Sequence, residues 1–262
     1  MGSPPLSEHL ISLDTFPSYK DATRHTFLAQ AGDGTLPLSR LALWLSQDRI
    51  YAAHAYPRFI GSLLSRIPFQ DSDNPSGPKE RQNEEILRVL VSCLDNIVRE
   101  VQFFKDTTEQ FGLNVEEWAQ RKATRDYTAE MVRVASSGSL EDGIIFLWAM
   151  ERVYLDAWRY VKSIQKQSAN PTDSNASNNV AAVRSLAENW SSPEFELFVD
   201  TLQRLVDGLE IKPWSEAWFR AEDIWSRVLE LEVAFWPEDG EELVKPLKKQ
   251  LWSGLMTQTK PT

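Results

Sequence analysis

The chain is short of the residues that build covalent or metal-held structure. It has one cysteine, Cys93, and three histidines, His9, His25 and His54, in 262 residues. A single thiol forms no intrachain disulfide, which suits a reducing compartment, and the expected location is the cytoplasm. So few histidines make a histidine-rich metal centre a poor fit, and the expectation is no metal and no cofactor. Basic runs are absent too. Lys and Arg number 28 against 38 Asp and Glu, and they never run beyond a pair. An acidic surface repels a phosphate backbone, so no nucleic-acid partner is expected. No apolar stretch is long enough to span a bilayer, and the first residues lack the basic and apolar segments of a secretion signal, so no membrane partner is expected either. Gly2 stands where N-myristoylation would need it, but Leu6 occupies the position that signal reserves for Ser or Thr.

What remains is strongly helical patterning with no alternating strand run and no internal repeat. Residues 1–15 read as an N-terminal arm. Residues 16–262 read as one domain, because the apolar patterning keeps a single style on both sides of a polar, low-complexity stretch at 167–179, taken as a mobile loop. Helices are expected near residues 16–30, 38–65, 84–111, 124–136, 140–167, 180–190, 193–209 and 215–235, with a short amphipathic piece at 240–252. Pro57 lies inside the second of these, where it removes a donor and predicts a kink around residues 53–56. Polar Pro- and Gly-bearing residues 71–84 read as a loop. The fold class is all-α, a bundle of long helices with short connections.

Three places set carboxylates among apolar neighbours. Three-residue steps put Asp48, Tyr51 and His54 along one side of a helix that also carries Trp44 and Leu45. A carboxylate and a phenol on an inward face either bond each other or meet a ligand. Glu151 falls in a helix with Met150, Tyr154 and Trp158, where it either faces inward or joins a surface network with Arg152 and Arg159. Glu230 and Glu232 stand about 200° apart around their helix, so only one can share the face of Phe235 and Trp236; the phase favours Glu232. Ten Trp, 12 Phe and 6 Tyr suit either core filling or a pocket for a flat ligand.

The order of these pieces resembles the TenA/THI-4 family. GDGTLP at residues 32–37 precedes a helix bearing Gln47, Asp48, Tyr51 and His54. Tyr127, Thr128 and Met131 follow, with Ser137 and Gly138 behind them, and then Glu232, Phe235 and Trp236. The match covers residues 16–237. The resemblance implies a heme-oxygenase-like helical fold without implying heme, and a dimer or tetramer of like chains. It implies thiaminase II-like hydrolysis of aminopyrimidines derived from thiamin. Residue by residue, it makes Asp48 the group that grips the pyrimidine, Tyr51 and Tyr154 substrate-binding tyrosines, and Glu232 the catalytic acid/base. The chain departs from the pattern where thiaminase-type members carry a nucleophilic cysteine, since Met150 stands there. A further tyrosine expected just after Trp190 is also missing. Cys93 lies on another helix and reads as part of its buried stripe. The chain thus resembles the cysteine-lacking subgroup, with Glu151 as the second catalytic candidate.

The expected function is cysteine-independent hydrolysis of an aminopyrimidine ligand. The alternative is a non-catalytic binding protein of the same fold. A diiron oxidase is a third class, opposed by the shortage of histidine.

Overall fold

The computed structural model describes residues 4–116, 118–168 and 178–244. Helices account for every regular element among them: α1 Leu6–Ile11, α2 Tyr19–Thr23, α3 Thr26–Asp33, α4 Leu38–Ile50, α5 Tyr56–Leu64, α6 Pro78–Phe111, α7 Lys122–Ser137, α8 Leu140–Ser168, α9 Asn178–Asn189, α10 Pro193–Asp207 and α11 Glu216–Phe235. A π-helical turn, Tyr51–Ala55, joins α4 to α5, and a 3₁₀ turn, Glu241–Leu243, follows α11.

The axis of the bundle is α8. Residues 142–150 are buried without interruption, and a helix buried around its whole circumference belongs in the middle. Packed along it are α3, α10 and α11, with α2 and α9 beside them. α1 packs on α10 and α11, and α4 to α7 close the other side, so α8 forms one wall of whatever space is left between the two halves.

Local chemistry explains where the helices begin and end. The expected helix at 16–30 is two, because His25 leaves the helical region and its Nδ1 accepts from the Phe27 amide as the N-cap of α3. α6 starts six residues before the expected 84, with Pro78 at its first turn, where a missing amide costs nothing. The segment read as an arm contains α1, whose Leu6 and Leu10 are buried. Ser7 ties it to α10, donating amide and hydroxyl to the two oxygens of Asp207 at 2.9 Å each. A six-residue helix shows too little periodicity to be read from pattern. Most of the stretch expected as a mobile loop, 169–177, and the end of the expected 240–252 helix lie outside the described residues.

Pro57 acts on its surroundings as expected, but through a widened turn. With no amide at Pro57, the chain shifts to the longer spacing of a π turn, and the Tyr56 amide reaches the Tyr51 carbonyl five residues back. Side chains after Tyr51 are therefore rotated relative to a regular helix.

The GDGTLP motif is built for packing. Gly34 ends α3 in the left-handed region at φ +82°, and Asp33 Oδ1 accepts from the Thr35 amide at 2.9 Å and its hydroxyl at 2.6 Å. Gly32 lies against α8 so closely that an added Cβ would fall 2.7 Å from the Ile164 Cβ. Gly32→Ala gains about 1 kcal/mol of helix propensity but forces two backbones apart, a strain of about 1–3 kcal/mol. Net destabilisation is expected, seen as a lower denaturant midpoint. An unchanged or higher midpoint would show that α3 can move off α8 freely.

Candidate active site

A cavity of about 230 Å³ lies between the π turn and α5, α6, α7, α8, α11 and the α9–α10 junction. Five acids line it, Asp48, Glu100, Glu151, Glu194 and Glu232, and three of them each accept from the hydroxyl of a tyrosine on a different helix. Asp48 of α4 is held by Tyr154 of α8 at 3.1 Å. Glu151 of α8 is held by Tyr56 of α5 at 2.8 Å. Glu232 of α11 is held by Tyr127 of α7 at 2.5 Å. A fourth phenol, Tyr51, donates to the Met150 sulfur at 3.3 Å.

No cation offsets these three acids among the described residues. Burial therefore dominates, and it penalises the charged form. It pushes Asp48 up to about 8, against the Tyr154 hydrogen bond and with the charges of Glu100 and Glu151 adding to the rise. It pushes Glu232 up to about 8, with Asp48 and Glu151 adding, and Glu151 up to about 7. The same burial drives Tyr51, Tyr56, Tyr127 and Tyr154 well above the ordinary tyrosine value, so they stay protonated donors. The result is a set of neutral or half-neutral acids in aromatic walls, able to exchange protons near neutral pH.

All five residues singled out in the sequence, Asp48, Tyr51, Glu151, Tyr154 and Glu232, line this one cavity. The surface network considered for Glu151 forms instead around Asp156, which accepts from Arg152 Nε at 2.9 Å and Arg159 Nη1 at 3.1 Å. Glu230 points outward and pairs with Arg227. His54 is a correction: three-residue steps place it with Tyr51, but the π turn carries it to the exposed side and brings Tyr56 into the cavity. Gln47 is a fastener. Its buried Oε1 accepts from the Arg121 amide at 2.7 Å and the Thr124 hydroxyl at 2.8 Å, holding the start of α7.

Tyr56, Tyr127, Glu100 and Cys93 belong to the cavity wall as well, and pattern reading did not assign them to a site. Pro57 is the signal that could have found Tyr56. Behind Tyr154 the tryptophans form a stacked backing: Trp236 lies 6.2 Å from Tyr154 at 11°, and Trp190 meets it edge-on at 5.2 Å. None of the three histidines lines the cavity. Among the described residues no three His, Cys, Asp or Glu side chains converge on a metal-sized point. No helix among them is long and apolar enough to cross a membrane.

Residues 15–242 match the TENA/THI-4/PQQC family. The chain belongs to this family. Its fold is the all-α, heme-oxygenase-like bundle of the TenA homologues. A TenA homologue from Pyrococcus furiosus superposes with a TM-score of 0.70 at 22% identity, covering 88% of this chain and 98% of its own. A putative TenA-like thiaminase from Sulfolobus solfataricus gives 0.62 at 16% identity, covering 90% and 94%. In sequence, the chain is 24% identical over 219 residues to a probable bifunctional TENA-E protein of Glycine max, covering 83% of this chain and 86% of that one. It is 27% identical over 233 residues to a probable transcription factor of Fusarium pseudograminearum, covering 79% of this chain and 45% of the relative's length.

Within this TENA/THI-4 bundle the thiol is unlike an activated nucleophile. Cys93 reaches the cavity from α6, and burial and the charge of Glu151 push it far above the ordinary thiol range, so the reactive thiolate is suppressed.

The buried acids also set a stability profile. Their folded-state pKa values lie above the ordinary carboxylate range near 4, so the native state holds protons the unfolded chain releases. The stability this contributes is complete below about pH 4 and is lost as pH rises through about 7 to 8. Thermal midpoints of the ligand-free protein should therefore fall between about pH 5 and 8.5, and fall less in an Asp48→Asn/Glu232→Gln double variant. An equal fall in the variant would assign the effect to other groups.

Proposed function

We propose that this protein is a cysteine-independent hydrolase of aminopyrimidine compounds related to thiamin. The observation that carries this reading is the trio of tyrosine-held carboxyl groups around one aromatic cavity. A carboxyl group such as Asp48 makes a two-point contact with an aminopyrimidine: one oxygen accepts from the exocyclic amine, and the other shares a proton with the ring nitrogen. Tyr51, Tyr154 and Phe235 supply flat walls for the ring.

Glu151 and Glu232 divide the proton work. Glu151, pushed up to about 7, is ionised in a large fraction of molecules near neutral pH and serves as the base. It takes a proton from water as the water oxygen bonds to the carbon bearing the leaving nitrogen. Glu232, pushed up to about 8, remains largely protonated and gives its proton to that nitrogen as the C–N bond breaks. The two acids interact, so their titrations are shared properties of the pair. The reading draws support from the family and from relatives described as TENA-E and TenA-like thiaminase proteins.

One observation favours the binding-protein alternative: Met150 fills the position where the resemblance places a nucleophile, and Tyr51 bonds its sulfur. Turnover of aminopyrimidines by the purified protein separates the two readings. Glu232→Gln should slow turnover by about 10²–10⁴ with little change in binding. Glu151→Gln should also slow it, less than additively in the double variant. Glu230→Gln, on the outer face, should leave it unchanged. Cys93→Ala should cost no more than about tenfold, since no thiolate bond to substrate is lost. Binding without turnover in the wild-type protein would make it a binding protein, and a Cys93→Ala loss as deep as that of Glu232→Gln would end the cysteine-independent mechanism.

A further inference from the structure

One face of α6 is apolar and open to solvent. Leu87 is 39% exposed, Val91 50% and Val98 69%, and the half-buried Leu94 stands between the last two. Single apolar side chains on a surface are ordinary. These four recur at steps of four, three and four, so they lie within an arc of about 60° on one side of the helix. That is the spacing of the a and d positions on a helix that packs along another helix. The core side of α6 is made by other residues: Ile86, Val89, Leu90 and Cys93 join the core, and Asn96, Glu100 and Phe104 line the cavity. The exposed stripe is therefore a second seam on the same helix.

The charges beside this seam suit a copy of the same helix running the opposite way. Turn a second α6 antiparallel and set Leu87 over Val98 of the copy. Val91 then falls over Leu94 of the copy, and a two-fold axis repeats both contacts, as a self-complementary interface requires. In this register Glu80, seven residues before Leu87, meets Lys105, seven residues after Val98. Arg88 and Asp95, on the flank of the seam, come beside each other's copies. Lys105 is exposed and Glu80 half-buried, and neither forms an ion pair among the described residues. Arg88 and Asp95 are paired only along their own helix, with Glu85 and Arg99, in surface contacts weak enough to be exchanged. A parallel pairing would set each of these four charges against itself.

We propose that α6 is a self-association surface: two copies of this chain pair antiparallel through Leu87, Val91, Leu94 and Val98. The occupant is a second copy because the order of charge along the helix is complementary to its own reverse. Apolar contact supplies the affinity, and the charges set direction and register. Since the other side of α6 lines the cavity, the pairing sets two cavity walls back to back. The inference is independent of the chemistry proposed for the cavity.

Sedimentation of the full chain across a range of concentrations tests it, with a mass of two copies expected at the upper end. Val91→Lys/Val98→Lys places like charges in the seam and should raise the dimer dissociation constant by at least about a hundredfold. Arg88→Glu and Asp95→Arg should each weaken the dimer by about three- to thirtyfold, and the double swap Arg88→Glu/Asp95→Arg should recover affinity to within about threefold of wild type. Helix content and the thermal midpoint of the dilute protein should be unchanged in all of them, because every substituted side chain lies on the outer face. A chain that stays monomeric at every concentration overturns the surface, and so does a dimer that the seam variants leave intact. Seam variants that unfold the monomer would show the stripe covered by its own chain, which also overturns it. A double swap that fails to recover what the single swaps lose overturns the antiparallel register.

Discussion

Everything in the centre of this bundle follows from burying carboxyl groups without cations. Asp48, Glu151 and Glu232 would each be costly in an apolar interior as ions, and the protein meets the cost with protons and phenols in place of arginine or lysine. A phenol on a neighbouring helix satisfies one oxygen and leaves the acid able to gain or lose its proton. Because each acid and its tyrosine sit on different helices, the three pairs also fasten α4 to α8, α5 to α8, and α7 to α11 across the cavity. The hydrogen bonds that satisfy the buried acids are thus the ones that tie the helices together around the cavity.

The arrangement of ion pairs elsewhere makes the contrast plain. Arg40 is buried and receives Glu242 in a two-point contact at 2.9 and 3.0 Å, seating the last described turn on the start of α4. Asp156 gathers Arg152, Arg159 and the Tyr19 hydroxyl. Charge is compensated in these networks and left uncompensated at the three tyrosine-held acids, where burial raises proton affinity.

A single proline shapes this cavity from outside it. Pro57 does not line the cavity, yet the π turn before it leaves His54 exposed and brings Tyr56 to the cavity wall. That tyrosine then holds Glu151. A regular helix through residues 51–56 would leave Glu151 without this donor. π turns inserted in helices commonly mark functional sites for this reason, since they re-aim side chains at small cost.

The helical class, the approximate spans of α6 to α11, the inward phase of Glu232 over Glu230, and the convergence of Asp48, Tyr51, Glu151 and Tyr154 were all present in the sequence. Each depends on the 3.6-residue repeat acting over a few turns, or on a family pattern written in consecutive residues. The identity of their hydrogen-bond partners was not. Tyr56 and Tyr127 meet their acids 95 and 105 residues away, and no local rule connects such positions. Cys93 and Glu100 read as ordinary members of a long amphipathic helix. Whether a side chain on such a face meets packed core or empty space depends on what the opposite helices present, and only the tertiary structure decides that.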